Sequence, residues 1–304
     1  MSVTAVPAPP LAANFAQDRA DVVVTGASGR LGTAIRDVLE AEGKSVRGMD
    51  PAPAIYPDAA TALSLDICDP TSLPAALHGS TALVHGAALH GAHLVAGTSR
   101  SRCWSVNVNG TWNLLQAAAE AGVRRVVFIS STSVYGPGSS SGSARLLDEE
   151  TSVGPDDVYD CTKLMGERIV NEMGRRCGLE VVSLRLGRFF YADRVDYHLR
   201  KLSTGLDVVD AARAVAAVLT CPQLLRPLYC VASDLGLTDE ERAQMGVDLK
   251  AVVTTAVPEL LSKLASMGAT LPDRIGKSVA TRALRADTGW APTRDLRWWA
   301  LTPS

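Results

Sequence analysis

Short apolar runs alternate with amphipathic stretches along most of this chain. Val22 to Val24 is an unbroken run of three valines, which predicts a strand buried on both faces. Directly after it, Leu31, Ile35, Val38 and Leu39 fall on one side of a helical wheel, with Arg36, Asp37 and Glu40 on the other. Further strands are predicted at Lys44–Met49, Leu63–Asp69, Leu83–Ala88, Arg125–Ser130, Val181–Leu186 and Leu228–Ala232. Helices are predicted between them: Trp104–Ala121, with Val106, Leu114, Leu115 and Ala118 apolar; Tyr159 to about Cys177, with Leu164, Ile169, Val170 and Met173; and Leu206–Leu219. Residues 238–270 read as mainly helical, Leu271-Pro272 breaks that run, and helix resumes toward Ala286. Strands alternating with helices predict an α/β fold with a doubly wound parallel sheet.

The first turn carries the strongest chemistry. Between the valine strand and its helix stand Gly26, Gly29 and Gly32. Gly26 suits a tight turn, Gly29 a close approach of backbone to a pyrophosphate, and Gly32 close packing of helix on strand. The helix N-terminus then presents free N–H groups and a partial positive charge to an anion. The spacing is G-x-x-G-x-x-G, and the competing reading is an ordinary glycine-rich turn. The flanking strand and helix favour the nucleotide cradle. Asp50, at the end of the second strand, suits the adenosine ribose hydroxyls and would repel a 2′-phosphate, so NAD is favoured over NADP; the alternative is a solvated aspartate. Asp66 is placed to reach the adenine edge.

Composition narrows the classes. The chain has 304 residues, 47% hydrophobic and 20% charged, with a net charge of −2. That is ordinary for a soluble enzyme and gives no reason to expect nucleic acid or a membrane surface. No apolar run approaches the ~20 residues of a membrane span. The Pro- and Ala-rich residues 1–19 read as a disordered tail rather than a signal peptide. Six cysteines stand at 68, 103, 161, 177, 221 and 230, with no C-x-x-C pair and no His in ligand spacing. They read as reduced thiols of a cytoplasmic protein, with no metal site. Gly136–Ser143, GPGSSSGS, reads as a flexible loop.

Two further clusters matter. The fifth strand delivers Ser131, Thr132 and Ser133 at its carboxyl end, where open α/β sheets bind ligands; serines capping a strand end are the plainer explanation. Tyr159 and Lys163 stand at i and i+4 on one helix face. A phenol is a poor base at neutral pH, and a nearby ammonium is expected to lower its pKa. His85 reads as a structural histidine rather than a catalytic one.

Taken together, Thr25-Gly-Ala-Ser-Gly-Arg-Leu-Gly32, Asp50, Leu65-Asp66, His85-Gly-Ala-Ala88, Asn107-Val-Asn-Gly-Thr111, Ser130-Ser-Thr-Ser-Val-Tyr-Gly136, Tyr159-x-x-x-Lys163, Leu184-Arg185 and Thr288-Gly-Trp-Ala-Pro292 resemble the extended short-chain dehydrogenase/reductase family, also called the NAD-dependent epimerase/dehydratase family. The resemblance covers nearly the whole chain after about residue 20. It implies a Rossmann domain at 20–187, to which 207–232 return, and a small substrate-binding lobe made of 188–206 and 233–304. It implies Tyr159 as general acid/base, Lys163 as its tuner and ribose ligand, and Ser131 on the same substrate oxygen. Cofactor contacts are implied at Gly26, Ser28, Gly29, Arg30, Leu31, Gly32, Asp50, Asp66, Ile67, Gly86, Ala87, Ala88 and Asn107, with Tyr159 and Lys163. Family members often dimerise through a four-helix bundle, which residues 104–121 and 157–177 could supply.

Departures from the family pattern narrow the reaction. Dehydratases place Asp and Glu where this chain has Thr132 and Ser133, so dehydration is disfavoured. Cys161 occupies a place often held by serine or another small residue. Leu186-Gly-Arg-Phe-Phe190 lacks the asparagine of many sugar-nucleotide epimerases. Arg200-Lys-Leu-Ser-Thr204 looks like a segment of uronate dehydrogenases whose arginine grips a carboxylate; pairing of Arg200 with Asp193, Asp196 or Asp207 is the structural alternative. Ser133, Arg188 and Arg200 are the candidate substrate ligands. The leading expectation is an NAD-dependent oxidoreductase acting on a secondary alcohol or carbonyl of a sugar-like substrate, anionic ones included. A sugar or sugar-nucleotide epimerase using the same Ser131, Tyr159 and Lys163 comes second. A non-catalytic dinucleotide sensor comes third, disfavoured because it needs none of the three.

Overall fold

The structure, a computed structural model, describes residues 20–51, 63–190 and 193–302. The proposed tail at 1–19 lies outside the described residues. The strands are β1 (Val22–Thr25), β2 (Val46–Met49), β3 (Ala82–His85), β4 (Arg125–Ser131), β5 (Arg145–Leu147), β6 (Glu180–Leu186), β7 (Leu228–Val231) and β8 (Lys277–Val279). Six form one parallel sheet in the order β2-β1-β3-β4-β6-β7, and β5 pairs with β8 apart from it. The helices are α1 (Arg30–Ala41), α2 (Leu73–Leu77), α3 (Gly91–Val95), α4 (Arg100–Trp104), α5 (Thr111–Glu120), α6 (Val158–Cys177), α7 (Arg194–Leu199), α8 (Val208–Thr220), α9 (Asp239–Gln244), α10 (Leu249–Ala256), α11 (Glu259–Ser266), α12 (Arg282–Thr288) and α13 (Leu296–Leu301).

Successive strand residues point to opposite faces, and here both faces are covered. Val22 and Val24 pack with Ile35 and Leu39 of α1 and with Ala211, Val215 and Val218 of α8. Val23 packs on the other side with Leu83, Val126 and Phe128, beneath Leu77 of α2, Leu114 of α5 and Val170 of α6. That double burial explains why the strands are valine runs rather than alternating patterns. From β1 the chain moves outward to β2, then returns to place β3 on the far side of β1. The reversal opens a crevice at the carboxyl ends of β1 and β3. A third apolar cluster, including Leu249, Val253, Leu260, Leu264 and Trp299, holds the C-terminal helices together. No described helix is long and apolar enough to cross a membrane.

Three local expectations are corrected. Leu63–Asp69 is not a strand: Leu63 alone bridges Met49. The Asp66 carboxylate accepts from Cys68 N, and the Asp69 carboxylate accepts from the Thr71 amide and hydroxyl, so side chains turn the backbone away from the sheet. The glycine- and serine-rich stretch at 136–143 is anchored, because Ser139 N donates to Gly276 O at 2.8 Å and Lys277 Nζ to Gly136 O at 2.6 Å. Residues 277–279, which precede α12, form β8 rather than helix.

Candidate active site

The glycine turn has the shape a dinucleotide needs. Gly26 has φ +72°, and a Cβ there would lie 2.8 Å from Ala87 N. A Cβ on Gly32 would overlap the Gly26 carbonyl, and one on Gly86 would lie 2.9 Å from Thr25 O. Backbone, not side chain, therefore lines the start of the crevice. Gly29 caps α1 without a side-chain acceptor, and the first turn has no acidic residue. The positive end of α1 is left for an external anion. Arg30 and Leu31 open that helix, and Arg30 Nη1 donates to Phe189 O across the crevice at 3.2 Å. These features fit a pyrophosphate between Gly26 and Gly32.

The acidic candidates divide. Asp50 accepts from the Ser28 amide at 3.1 Å, which fastens the end of β2 to the glycine turn. Asp66 is salt-bridged to Arg102 at 2.9 Å. Burial alone would raise its pKa, but the Cys68 amide and Arg102 outweigh burial and hold it below the usual carboxylate range. Ile67 packs under Gly110, where a Cβ would lie 2.7 Å from Ile67 Cγ1. Gly86, Ala87 and Ala88 follow β3, and Ala87 N donates to Thr25 Oγ1 at 3.2 Å.

His85 is structural. It lies between Thr25 Oγ1 at 2.9 Å and Thr111 Oγ1 at 2.8 Å. Burial, helped by the charge of Lys163, pushes its pKa down to about 3, so it stays neutral. Asn107 sits in a π-helical turn, Ser105–Gly110, between α4 and α5. Such turns inside helices occur often at functional sites. Its amide both accepts from Leu89 N and donates to Leu89 O, each at 2.8 Å, and donates to Thr162 Oγ1 at 2.9 Å. Asn107 thus ties the loop after β3 to α6.

Helix α6 carries Tyr159 and Lys163. Asp157 caps it by accepting from Asp160 N at 2.8 Å, and Gly178 ends it in the left-handed conformation. Gly166 lets it press onto β4, where a Cβ would collide with the Phe128 ring. Lys163 Nζ donates to Ile129 O at 2.7 Å and lies 5.9 Å from the centre of the Tyr159 ring. Burial lowers the Lys163 pKa to about 8, opposed by Cys103 and Glu167. The Tyr159 phenol is raised by burial, opposed first by a hydrogen bond from Ser131. The net shift of the phenol is upward, because desolvation penalises the phenolate more than its neighbours stabilise it. Ser131 ends β4, and its hydroxyl accepts from Ser133 N at 3.1 Å. The Ser133 hydroxyl is buried.

The two arginine candidates part company. The exposed Arg188 follows β6. Arg200 is held by Asp196, with Nε at 3.0 and 3.2 Å from the two carboxylate oxygens, which is the structural alternative named above.

Sequence reasoning missed a buried network under this site. Glu167 accepts from Arg185 Nε at 2.9 Å and Nη2 at 2.8 Å, and from Ser130 Oγ at 2.6 Å. Arg185 Nη1 donates to the Tyr135 hydroxyl at 2.8 Å, and that hydroxyl donates to Asp148 O. Glu167 stands at i+8 from Tyr159 and i+4 from Lys163, so the shared helix face was the available signal.

Known proteins resemble this chain in sequence and in fold. Over 189 residues the chain is 29% identical to the L-arabinose 1-dehydrogenase (NAD(P)(+)) of Haloferax volcanii, covering 58% of this chain and 70% of that enzyme. It is 26% identical to the uronate dehydrogenase of Pseudomonas putida, covering 70% and 76%. Among solved structures, a short-chain dehydrogenase/reductase superfamily protein of Agrobacterium tumefaciens with bound NAD superposes with a TM-score of 0.68 at 23% identity, covering 91% of this chain and 94% of that one. The family model described as NAD dependent epimerase/dehydratase family matches residues 22–204, more than half of the sequence. With its six-stranded parallel sheet and glycine turn, the chain belongs to the NAD dependent epimerase/dehydratase family.

Proposed function

We propose that this protein is an NAD-dependent oxidoreductase acting on a secondary alcohol or carbonyl of a sugar-like small molecule. The observation that carries the reading is the approach of Ser131, Tyr159 and Lys163 to one another at the carboxyl end of β4. The bound dinucleotide supplies the hydride chemistry. Gly26, Gly29, Gly32 and the α1 N-terminus would hold its pyrophosphate, and Asp50 and Asn107 shape the walls on either side. Ser131 and Tyr159 would take the substrate oxygen. Burial keeps the phenol protonated, which suits it to donate to a carbonyl oxygen as that oxygen gains charge. In the reverse direction Ser131 supports the phenolate that accepts the alcohol proton. Lys163 brings positive charge beneath the ring and would hold the nicotinamide ribose. The substrate would lie between the sheet edge and the lobe made of 188–206 and 233–304. The sugar dehydrogenases among the relatives support that substrate class.

An epimerase using the same Ser131, Tyr159 and Lys163 is the second choice, supported by the match to the NAD dependent epimerase/dehydratase family. Denaturing purified protein and identifying the released cofactor decides between the two. Near one NAD per chain supports the epimerase, and weak, reversible NAD binding supports the dehydrogenase. For the enzyme reading itself, Tyr159→Phe is expected to lower turnover by about 10²-fold or more while fold and NAD binding persist. Unaltered turnover in that variant would sink it. We read the enzyme as a homodimer built on the faces of α4, α5 and α6, where the exposed Trp104 and Trp112 support a covered surface. A reducing, cytoplasmic location is supported by six free cysteines.

A further inference from the structure

The loop after β3 and the helix α3 that follows it hold two histidines that the catalytic scheme leaves without a task. His90 stands next to Leu89, whose amide and carbonyl are both bound by Asn107. The same Asn107 amide reaches Thr162, the neighbour of Lys163. His90 is therefore tied through Asn107 to α6, the helix that carries Tyr159 and Lys163. Its ring packs at 5.3 Å on Phe190 from the loop after β6 and at 4.3 Å, edge-on, against His93 of α3. Arg30 lies over the same Phe190 ring, 5.1 Å from its centre.

The hydrogen bonds set the tautomers. Ala92 N donates to His90 Nδ1 at 3.4 Å, and His90 N donates to His93 Nδ1 at 3.1 Å. An Nδ1 that accepts carries no proton, so we assign the proton of each neutral ring to Nε2. Burial, then the charges of His93 and Lys163, push the His90 pKa down to about 4. The ring is thus an uncharged donor at ordinary pH. Its Nε2–H has no hydrogen-bond partner among the described residues, while Phe190 and His93 fix the ring plane.

We propose that His90 contacts the substrate, donating Nε2–H to an oxygen on the carbon adjacent to the reacting one, so that the site selects vicinal hydroxy alcohols and α-hydroxy carbonyl compounds. The inference rests on the oxidoreductase reading above and names the substrate feature which that site recognises. A site built to donate to a substrate oxygen discriminates strongly against an analogue lacking it, because the donor is then left desolvated and unpaired.

The test uses the full chain, NAD and matched pairs: D-galactose with 2-deoxy-D-galactose, L-arabinose with 2-deoxy-L-ribose, and 1,2-cyclohexanediol with cyclohexanol. NADH formation is followed by absorbance, with NAD affinity measured separately. The wild type is expected to favour the vicinal member by roughly 10- to 100-fold in kcat/KM. His90→Ala should reduce that preference to within about threefold, chiefly by raising KM for the vicinal member, with NAD affinity unchanged. His90→Gln keeps an N–H donor and should retain most of the preference, a rescue that a merely structural ring would not show. A His90→Ala variant that keeps the preference overturns the inference. So does a wild type that binds NAD but oxidises no vicinal compound, or prefers the lone alcohol; the oxidoreductase reading survives the latter result. A protein that neither binds NAD nor oxidises anything in the panel refutes both.

Discussion

Glu167→Gln is the perturbation that most directly probes how α6 is held. Glu167 and Arg185 are 6% and 5% exposed, and their fork-to-fork pairing also satisfies Ser130. Glutamine keeps the shape and one acceptor oxygen but removes the charge, so the buried Arg185 guanidinium loses its counter-charge and half of its paired contact while keeping the Tyr135 hydroxyl. Breaking a buried pair from one side typically costs about 3–5 kcal/mol. A chain of this length has an unfolding entropy near 0.6 kcal/mol/K at roughly 2.1 cal/mol/K per residue, so the expected fall in Tm is about 5–8 °C. Circular dichroism melts of wild type and variant measure it. Glu167→Leu combined with Arg185→Met should recover much of the loss, since hydrophobic replacement of a buried pair is often neutral or better. The unpaired Ser130 hydroxyl limits the recovery by about 1 kcal/mol or more. A Glu167→Gln melt within 1–2 °C of wild type, or a double variant less stable than the single one, would refute the reasoning.

Three other outcomes are expected. Lys163 titrates near 8 in the folded protein, below its ordinary 10.5, so the unfolded chain binds more protons between those values and stability rises with pH across that window. Lys163→Met should flatten this rise and, at pH 7, gain up to about 2–3 kcal/mol in a thermal or urea melt while losing catalysis; an unchanged pH profile contradicts it. His85 is depressed to about 3, so its stabilising neutrality is complete above 6.5 and is lost as pH falls through that window. His85→Gln should remove about 2 kcal/mol of the acid sensitivity between pH 6.5 and 5, read from melts at both values. Gly26→Ala should weaken NAD binding at least tenfold by calorimetry, because the new Cβ meets the Ala87 backbone. Gly178→Ala, also at positive φ but facing open space, should cost only about 1–2 kcal/mol and leave NAD binding alone.

The sequence by itself determined the class of the fold and the glycine turn at its centre. Three valines followed by glycines at 26, 29 and 32 specify strand, tight turn and helix, because only backbone without a Cβ fits where Gly26 and Gly32 meet their neighbours. Tyr159 and Lys163 were legible for the same local reason: helical periodicity alone places them on one face. Tertiary structure decided what local pattern could not. Residues 64–69 look like a strand by composition, yet Asp66 and Asp69 bind their own backbone and only Leu63 bridges to the sheet. Arg200, by contrast, pairs with Asp196 one helical turn before it, a contact that local spacing alone supplies. The sign of the Tyr159 shift followed from burial, a property of packed neighbours rather than of the Tyr-x-x-x-Lys spacing. Glu167, Arg185, Ser130 and Tyr135 form one network only because α6, β6 and β4 are layered together, and buried charge must find its partner wherever the chain delivers it.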